Sequence, residues 1–514
     1  MLLLASSEPV SGAVTALFAI LLVGLIACLA LEEKLHAKKS FIAGMFAIVC
    51  LFLGAACGIL EFDKVVVGSH ELVEIDTVEG DYVLEADPKH EQHHVVITEH
   101  NEEEVGEEDP AVHVGGHRLE MPVYIPGINW GVIAIILGSS LFVDVTSKSG
   151  LFTWIAIKVT KASAGDPSKL LYFYGIMTVV FSAVLNNVTA MIIVGSLTAV
   201  SLEKLNRKEK LLGFLLIEGL LTNIGGLLTL ISSVPNIIVG TTANISFLTF
   251  FIKAAPYVVV ATFVTIWMGA RLFRISKLTN DKERDEAKQL VSNFDENDGV
   301  ESWGFFWFGS AMLCLFILFI ATTSVLPFGI NHLGMGFIAL SFAGIMLVRF
   351  KHEVQEFYKT VDWDLLGFFM ALFVVIYVME HAHVLDEIGK AMQWALSDMA
   401  KVPASKSDAT MLLLGSAVFS SVTDNIPLAA MLSSILHKVP TPTESGLWWS
   451  VIFGANLGGN LTPIGSASTL VAVTIIHKHK MPLSFVAFVK AAVPFAVVQI
   501  VLATIYVLFV LPLI

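Results

Sequence analysis

Four apolar stretches of the sequence are interrupted by residues able to hold a small solute. Asn186, Asn187 and Thr189 lie within the run 170–199, and Asp424 and Asn425 within 409–436. Asn223, Gly225, Gly226, Thr229, Ser233 and Asn236 punctuate 211–240, while Asn456, Gly458, Gly459, Asn460, Thr462, Ser466 and Ser468 punctuate 446–477. Amide and hydroxyl oxygens can replace the water around a small cation, N–H groups can meet an anion, and glycine lets backbone approach either. Three carboxyl groups add proton chemistry: Asp424, Glu218 and Asp144, ranked in that order. Asp424 leads because an ionisable group at membrane depth is costly and functional by default, and it stands beside Asn425 at the middle of its run. Asp144 also reads simply as the end of its span. The chemistry is capture and release of ions. No nucleotide-binding P-loop is present, so direct ATP coupling is not expected; neither an enzyme nor a cofactor beyond sodium and protons as transported or coupling ions is expected.

Such residues need a surrounding that gives them meaning, and the composition supplies it. Of 514 residues 55% are hydrophobic and 15% charged, against about 25% charged in soluble domains. A soluble enzyme, a nucleic-acid binder and a disordered chain are excluded; a polytopic helical protein in a lipid bilayer remains. Ten spans are expected, near 11–31, 40–60, 126–144, 211–240, 247–273, 303–323, 333–350, 363–380, 446–477 and 482–512. Those at 211–240 and 446–477 are too long for one straight helix and carry Gly, Asn and Pro, so they read as broken helices. The first span is too long for a signal peptide and its basic flank follows it, so it reads as retained.

Lys and Arg in the short loops at 32–39, 271–288 and 349–359 assign those loops to the cytoplasm and both termini to the outside. Run 170–199 has basic residues on both flanks, Lys158, Lys161 and Lys169 before it and Lys204, Arg207, Lys208 and Lys210 after it. Both ends therefore fall on one side, which makes the run a re-entrant hairpin with Asn186–Asn187 at its tip.

The chain repeats itself. FSAVLNNVTAMIIVGSL at 181–197 matches FSSVTDNIPLAAMLSSI at 419–435, and NIGGLLTLISSVPN at 223–236 matches NLGGNLTPIGSAST at 456–469. The offsets are 238 and 233 residues, and Trp130 and Trp363 continue the second. The repeats start an odd number of crossings apart, so their topology is inverted, a recurrent plan of secondary transporters with the substrate site at the repeat interface. The fold expected is an all-α polytopic membrane protein with inverted-topology repeats, two re-entrant hairpins and two broken helices. Its segments are two spans at 1–60, an insertion at 61–120, repeat one at 121–275, a cytoplasmic loop at 276–302, connecting spans at 303–350 and repeat two at 351–514.

The insertion holds a local charge of −15, which leaves the rest of the chain near +1. Seven histidines lie in it: His70, His90, His93, His94, His100, His113 and His117. It reads as a solvated acidic loop in preference to a cation trap, since no spacing matches a defined metal site, and 71–76 and 93–98 alternate as short strands do. The four cysteines, all in apolar spans, suggest neither disulfide nor zinc. Glu380, His381, His383 and Asp386 are assigned to an external amphipathic helix.

LNNVTA at 185–190, TNIGGLLTLISSVPNIIVG at 222–240, TDNIPLAA at 423–430 and GANLGGNLTPIGSASTL at 454–470 resemble the ion transporter superfamily. Within it they are similar to the branch of NhaD-type sodium/proton antiporters, ArsB-type arsenite permeases and P-protein-like permeases; the wider group includes citrate and dicarboxylate carriers. The resemblance implies scaffold and transport units, elevator-type movement, often a homodimer, and ion contacts at Asn186, Asn187, Thr189, Asn223, Asp424, Asn425, Asn456 and Ser466. This chain has Asn186–Asn187 where NhaD-like members usually have Asp-Asn, and Ser232-Ser233-Val234-Pro235-Asn236 where P-protein-like members tend to have Gly-Asp-Pro-Pro-Asn. The function expected is sodium/proton antiport in an inner membrane; arsenite or organic-anion transport on the same scaffold is the alternative. A membrane sensor with an acidic ectodomain would leave the repeated motifs without a use.

Overall fold

In hydrocarbon every backbone N–H and C=O must find its partner within the protein, so the apolar runs fold as helices. The computed structural model describes residues 10–60, 64–67, 82–86, 94–99, 112–115, 117–120, 125, 127–327, 330–351, 354–396, 401–423, 425–439 and 441–514. The chain opens with α1 (Gly12–Ala30), the single turn α2 (Glu32–Leu35) and α3 (Lys39–Ala56). Five short strands follow in the insertion: β1 (Lys64–Val67), β2 (Tyr82–Ala86), β3 (His94–Glu99), β4 (Val112–Gly115) and β5 (His117–Glu120). β1 pairs with β5, and β3 lies antiparallel between β2 and β4. The strand expected at 93–98 is β3; the one expected at 71–76 lies outside the described residues, as do His70, His90, His93 and His100.

The first repeat is α4 (Trp130–Ser147), α5 (Leu151–Ala162), α6 (Pro167–Val184), α7 (Asn187–Lys204), α8 (Leu211–Gly226), α9 (Val234–Thr242) and α10 (Phe247–Leu272). After α11 (Asp281–Ser292), α12 (Trp303–Ala321), α13 (Ile330–Arg349) and α14 (Val354–Thr360) comes the second: α15 (Trp363–His381), α16 (Val384–Ala395), α17 (Lys406–Val422), α18 (Asn425–Lys438), α19 (Gly446–Gly458), α20 (Ala467–Lys478) and α21 (Phe485–Ile505). The membrane body is wholly helical among the described residues, with nine helices long and apolar enough to cross a bilayer. Their outer faces expose Ile20, Phe52, Trp307 and Val348, as side chains that meet lipid do.

The two expected broken helices are α8–α9 and α19–α20, and the two hairpins α6–α7 and α17–α18. The first hairpin turns back on itself: Ser182, near the end of α6, donates to Asn187 at the start of α7 (2.8 Å), and Tyr174 shares a 2.8 Å hydrogen bond with Ser201 near the end of α7. The α6 arm has spanning length, about 27 Å at 1.5 Å per residue, yet its chain returns to the side it left.

Equivalent atoms do equivalent things in the two repeats. Trp130 and Trp363 each open a helix and donate their indole N–H five residues back, to Ile125 O (3.1 Å) and Tyr358 O (2.9 Å). α5 and α16 are both twelve residues long, each preceded by a left-handed residue, Gly150 or His383. α13 packs on α4 and α3 on α15, so each repeat's first helix is braced by a helix from the other half's leading pair. Glu380 and His381 belong to the last turn of α15, a correction to their placement in an amphipathic helix; His383 caps α16 and Asp386 lies on it.

The stretch 276–302 is more than a loop. Lys158 and Lys161 of α5 both donate to Glu296, Arg207 pairs with Glu283 (3.3 Å), and Leu278 N donates to Asp166 (3.0 Å). The hydrogen bonds from Lys158 and Lys161 lower the Glu296 carboxyl to about 2. α11 thus docks on the hairpin base of repeat one.

Candidate functional site

Each break is built by the same device. The bare Cα of Gly225 lies against α6: a Cβ there would be 2.7 Å from Val179 O, and at Gly458 of the second repeat 2.3 Å from Ala417 O. This close approach lets the hairpin serines reach the broken helix. Ser182 donates to Thr222 O (2.7 Å) and Ser420 to Ala455 O (2.6 Å). Coming the other way, Thr229 donates to Ala183 O (2.5 Å) and Thr462 to Ser421 O (2.6 Å). These bonds pin each hairpin to its own helix break and satisfy backbone that an unwound segment leaves open.

Between the repeats the bonds are reciprocal. Ser233 donates to Asn456 Oδ1 (2.8 Å), and Ser466, its counterpart, donates to Asn223 Oδ1 (2.9 Å). Asn223 Nδ2 donates to Asn460 Oδ1 (2.8 Å), and Asn456 Nδ2 to Asn236 Oδ1 (2.9 Å). Ser468 adds a second donor to Asn223 Oδ1 at 3.0 Å, and Asn187 Nδ2 stands 3.4 Å from the same oxygen. Asn236 Nδ2 donates to Gly226 O (2.6 Å) and Thr229 O (3.0 Å). Asn223, Asn236, Asn456, Asn460 and Ser468 are wholly buried. One such bond is worth about 1 kcal/mol net, whereas a buried amide left unpartnered costs about 1–3 kcal/mol. The pattern is therefore strongly specified, and a solute drawing on these groups must replace the bonds it displaces.

The structure brings together most of the residues singled out from sequence. Asn186 caps α7 by accepting from Thr189 N (2.8 Å), so these two form the tip itself, with Asn187 leading inward to Asn223. Gly226 meets Asn187, its notional Cβ 2.6 Å from Oδ1, and Gly459 meets the Gly465 carbonyl. Asn425 is the buried first residue of α18. Asp424 lies outside the described residues. Asp144 sits in the last turn of α4, the first helix of repeat one. Glu218 is fully buried on α8, its Oε1 accepting from Thr198 (2.6 Å). Gln499 of α21 escaped the sequence reading: it accepts from Asn460 Nδ2 at 2.8 Å and donates to Thr265 of α10 at 2.9 Å, closing the cluster from behind. A lone glutamine in a 21-residue apolar helix was the available signal.

Helix ends converge here with both polarities. The C-termini of α8 and α19 present carbonyls, and the N-termini of α9 and α20 present N–H groups that Ser233 and Ser466 do not cap. Among the described residues no group of three or more His, Cys, Asp or Glu forms a metal cluster.

A helical membrane body whose inverted repeats join paired hairpins and broken helices at one buried polar centre is a membrane transporter. The chain belongs to the citrate transporter family, whose model matches residues 111–452. It is 30% identical over 387 residues to the "46 kDa membrane protein" of Mycobacterium leprae, covering 74% of this chain and 86% of that one. It is 24% identical over 468 residues to the human P protein, covering 77% of this chain and 55% of the relative. Among solved structures, the YdaH transporter of Alcanivorax borkumensis superposes with a TM-score of 0.55 at 11% identity, over 92% of this chain and 98% of that one. MtrF of Neisseria gonorrhoeae, described as one of a class of antimetabolite efflux pumps, gives 0.50 at 13% identity over 92% and 94%. The two likenesses carry fold alone.

Proposed function

We propose that this transporter is a secondary active antiporter exchanging sodium ions for protons, working as a homodimer in an inner membrane with both termini outside. One observation carries the reading: every charged side chain buried among the described residues is acidic, namely Asp166, Glu218 and Asp408. The centre itself is made of amide, hydroxyl and backbone oxygens, which suit a sodium ion, and among the described residues it has no buried Arg or Lys of the kind a multiply charged anion usually meets. Asn186, Asn187, Asn223, Asn456 and Ser466 are the residues expected to exchange their mutual bonds for the ion, with Asp424 as the carboxyl that competes between Na⁺ and H⁺.

A second reading is favoured by a different observation. The uncapped N-termini of α9 and α20 suit a small anion such as an organic carboxylate or an arsenite-like species. Proteoliposome flux of sodium, lithium, arsenite and citrate, with and without a pH gradient, separates the two. Sodium-driven proton movement supports antiport; citrate or arsenite uptake without sodium transport overturns it. Under the antiport reading Asp424→Asn abolishes sodium-driven proton movement in an inserted, folded protein. Asp424→Glu keeps some activity with a shifted pH profile, and Asn186→Asp alters ion preference. Wild-type rate and pH dependence in Asp424→Asn removes that residue from the mechanism.

A further inference from the structure

The two repeats match at the polar centre but part company beside it. In repeat one, Glu218 Oε1 accepts from Thr198 of α7, while Oε2 is buried with no hydrogen-bond partner among the described residues. One turn further along α7, Ser201 shares its hydrogen bond with Tyr174 OH, and Tyr174 OH shares another, also 2.8 Å, with Thr160 Oγ1 of α5. Glu218, Thr198, Ser201, Tyr174 and Thr160 are all at most 4% exposed. Next to Thr160 on α5 stands the surface cluster of Lys158, Lys161 and Glu296. Two hydrogen-bonded sets, Glu218–Thr198 and Ser201–Tyr174–Thr160, thus lie one turn of α7 apart between the buried carboxyl and the Lys-rich face, and Thr160 Oγ1 also donates to Ala156 O (2.8 Å).

The second repeat fills the same positions differently. At the offset of 238 residues, Tyr174, Thr198 and Ser201 correspond to Leu412, Leu436 and Val439; at 233 residues, Thr160 and Glu218 correspond to Gln393 and Val451. Four of five counterparts are apolar. The hairpin and broken helix of repeat two fold around hydrocarbon at these sites, so the architecture does not need the polar string. A buried carboxyl with an unpartnered oxygen is expensive in a membrane. An expense confined to one of two matching repeats points to use.

We propose that Glu218 is a proton-binding site, loaded and emptied through Thr198, Ser201, Tyr174 and Thr160 from the Lys158–Lys161–Glu296 face. Each hydroxyl oxygen accepts one proton and passes on its own, a water carries the hop across the turn between Ser201 and Thr198, and the proton ends on the Glu218 carboxylate. No electrons move, and release runs the same chain backwards. The groups around Glu218 are accounted for. Tyr174 of α6 lies within its electrostatic reach, Tyr257 of α10 is turned to the Gln499 carbonyl, Glu203, Lys204, His477 and Lys478 stand at the ends of α7 and α20, Lys169 and Arg271 near the ends of α6 and α10, and Lys208, Glu209 and Lys210 in the turn before α8. The role of this proton in transport rests on the antiport reading; the binding site itself does not.

Two readouts on full-length protein in proteoliposomes test it. Infrared difference spectra between high and low pH are expected to contain a protonated-carboxyl band that Glu218→Gln removes and Glu218→Asp retains at a shifted frequency. In flux, Tyr174→Phe is expected to lower sodium-driven proton movement, measured against radiolabelled sodium counterflow at equal pH, on the order of a hundredfold while keeping the carboxyl band. A spectrum unchanged by Glu218→Gln overturns the site, and an unchanged flux ratio in Tyr174→Phe overturns the route. Loss of the band in Glu218→Gln, from a wild type that moves no protons with sodium, upholds the proton site and overturns antiport instead.

Discussion

A methyl group at Gly225 or Gly458 has nowhere to go. Its neighbours are the Val179 and Ala417 carbonyl oxygens and Cα atoms, which belong to helical backbone and cannot rotate aside. Gly415, two residues before Ala417 on the same hairpin arm, has open space where a Cβ would stand. Gly225→Ala and Gly458→Ala are therefore expected to destabilise the protein by about 1–3 kcal/mol through overpacking, with lost transport, because the added methyl forces the hairpin away from its break. Gly415→Ala is expected to be neutral or slightly stabilising, since alanine outranks glycine in a helix. Thermal unfolding in detergent, followed by intrinsic fluorescence, measures all three. Equal melting of Gly225→Ala and Gly415→Ala would refute the close approach.

At the scale of elements, the hairpins and breaks were legible because the chain states them twice. Ser182 and Ser420, or Thr229 and Thr462, are hard to read singly, since a small polar residue in a membrane helix is often only packing glue; at a fixed offset they become a pattern. Gln499 showed only as a lone glutamine in an apolar helix, and its bond to Thr265 on the distant α10 was not legible, because no repeat offset points from one to the other. The partnership of α5 and α16 shows only in the structure, in their common length and left-handed entries. The Lys-rich flanks foretold the return of the first hairpin, and labelling checks it. With Cys28, Cys50, Cys57 and Cys314 replaced, Lys169→Cys and Lys204→Cys are expected to react with a membrane-impermeant thiol reagent from one side, and Lys406→Cys and His437→Cys from the opposite one. All four residues are exposed at the arm ends. Reaction of the first pair from opposite sides would make α6 a true crossing and break the inverted symmetry.

For the whole molecule, the bonding divides the helices into two bodies. α9 packs on α18 and α19, and α20 packs on α7 and α8, so each half-helix is held by the other repeat and the polar centre cannot open along the repeat boundary without losing its reciprocal Ser–Asn bonds. The α4–α13 and α3–α15 pairs form a framework that meets the hairpins and half-helices more lightly, through α9 and α18, and in it Ser40 donates to Asp364 across the α3–α15 contact. Between the bodies lies a cavity of about 590 Å³, lined by Ala134 and Ile135 of α4, Thr241 of α9 and Gly336 of α13. A solute can then be carried across by moving the hairpin body as a unit past the framework, with the centre intact, at less cost than by prising the repeats apart. This makes the place of a cross-link decisive. Ala134→Cys with Thr241→Cys, bridged by a flexible bifunctional thiol reagent, is expected to arrest flux, and cleaving the bridge to restore it. Ser40→Cys with Gly367→Cys, where the Cβ of residue 367 would lie 3.5 Å from that of Ser40, is within disulfide reach and ties framework to framework. Oxidised, that pair is expected to transport at the rate of its reduced form. Unimpeded flux through the bridged Ala134–Thr241 pair would mean that the two bodies do not slide, and that access changes instead by local opening at the hairpin tips.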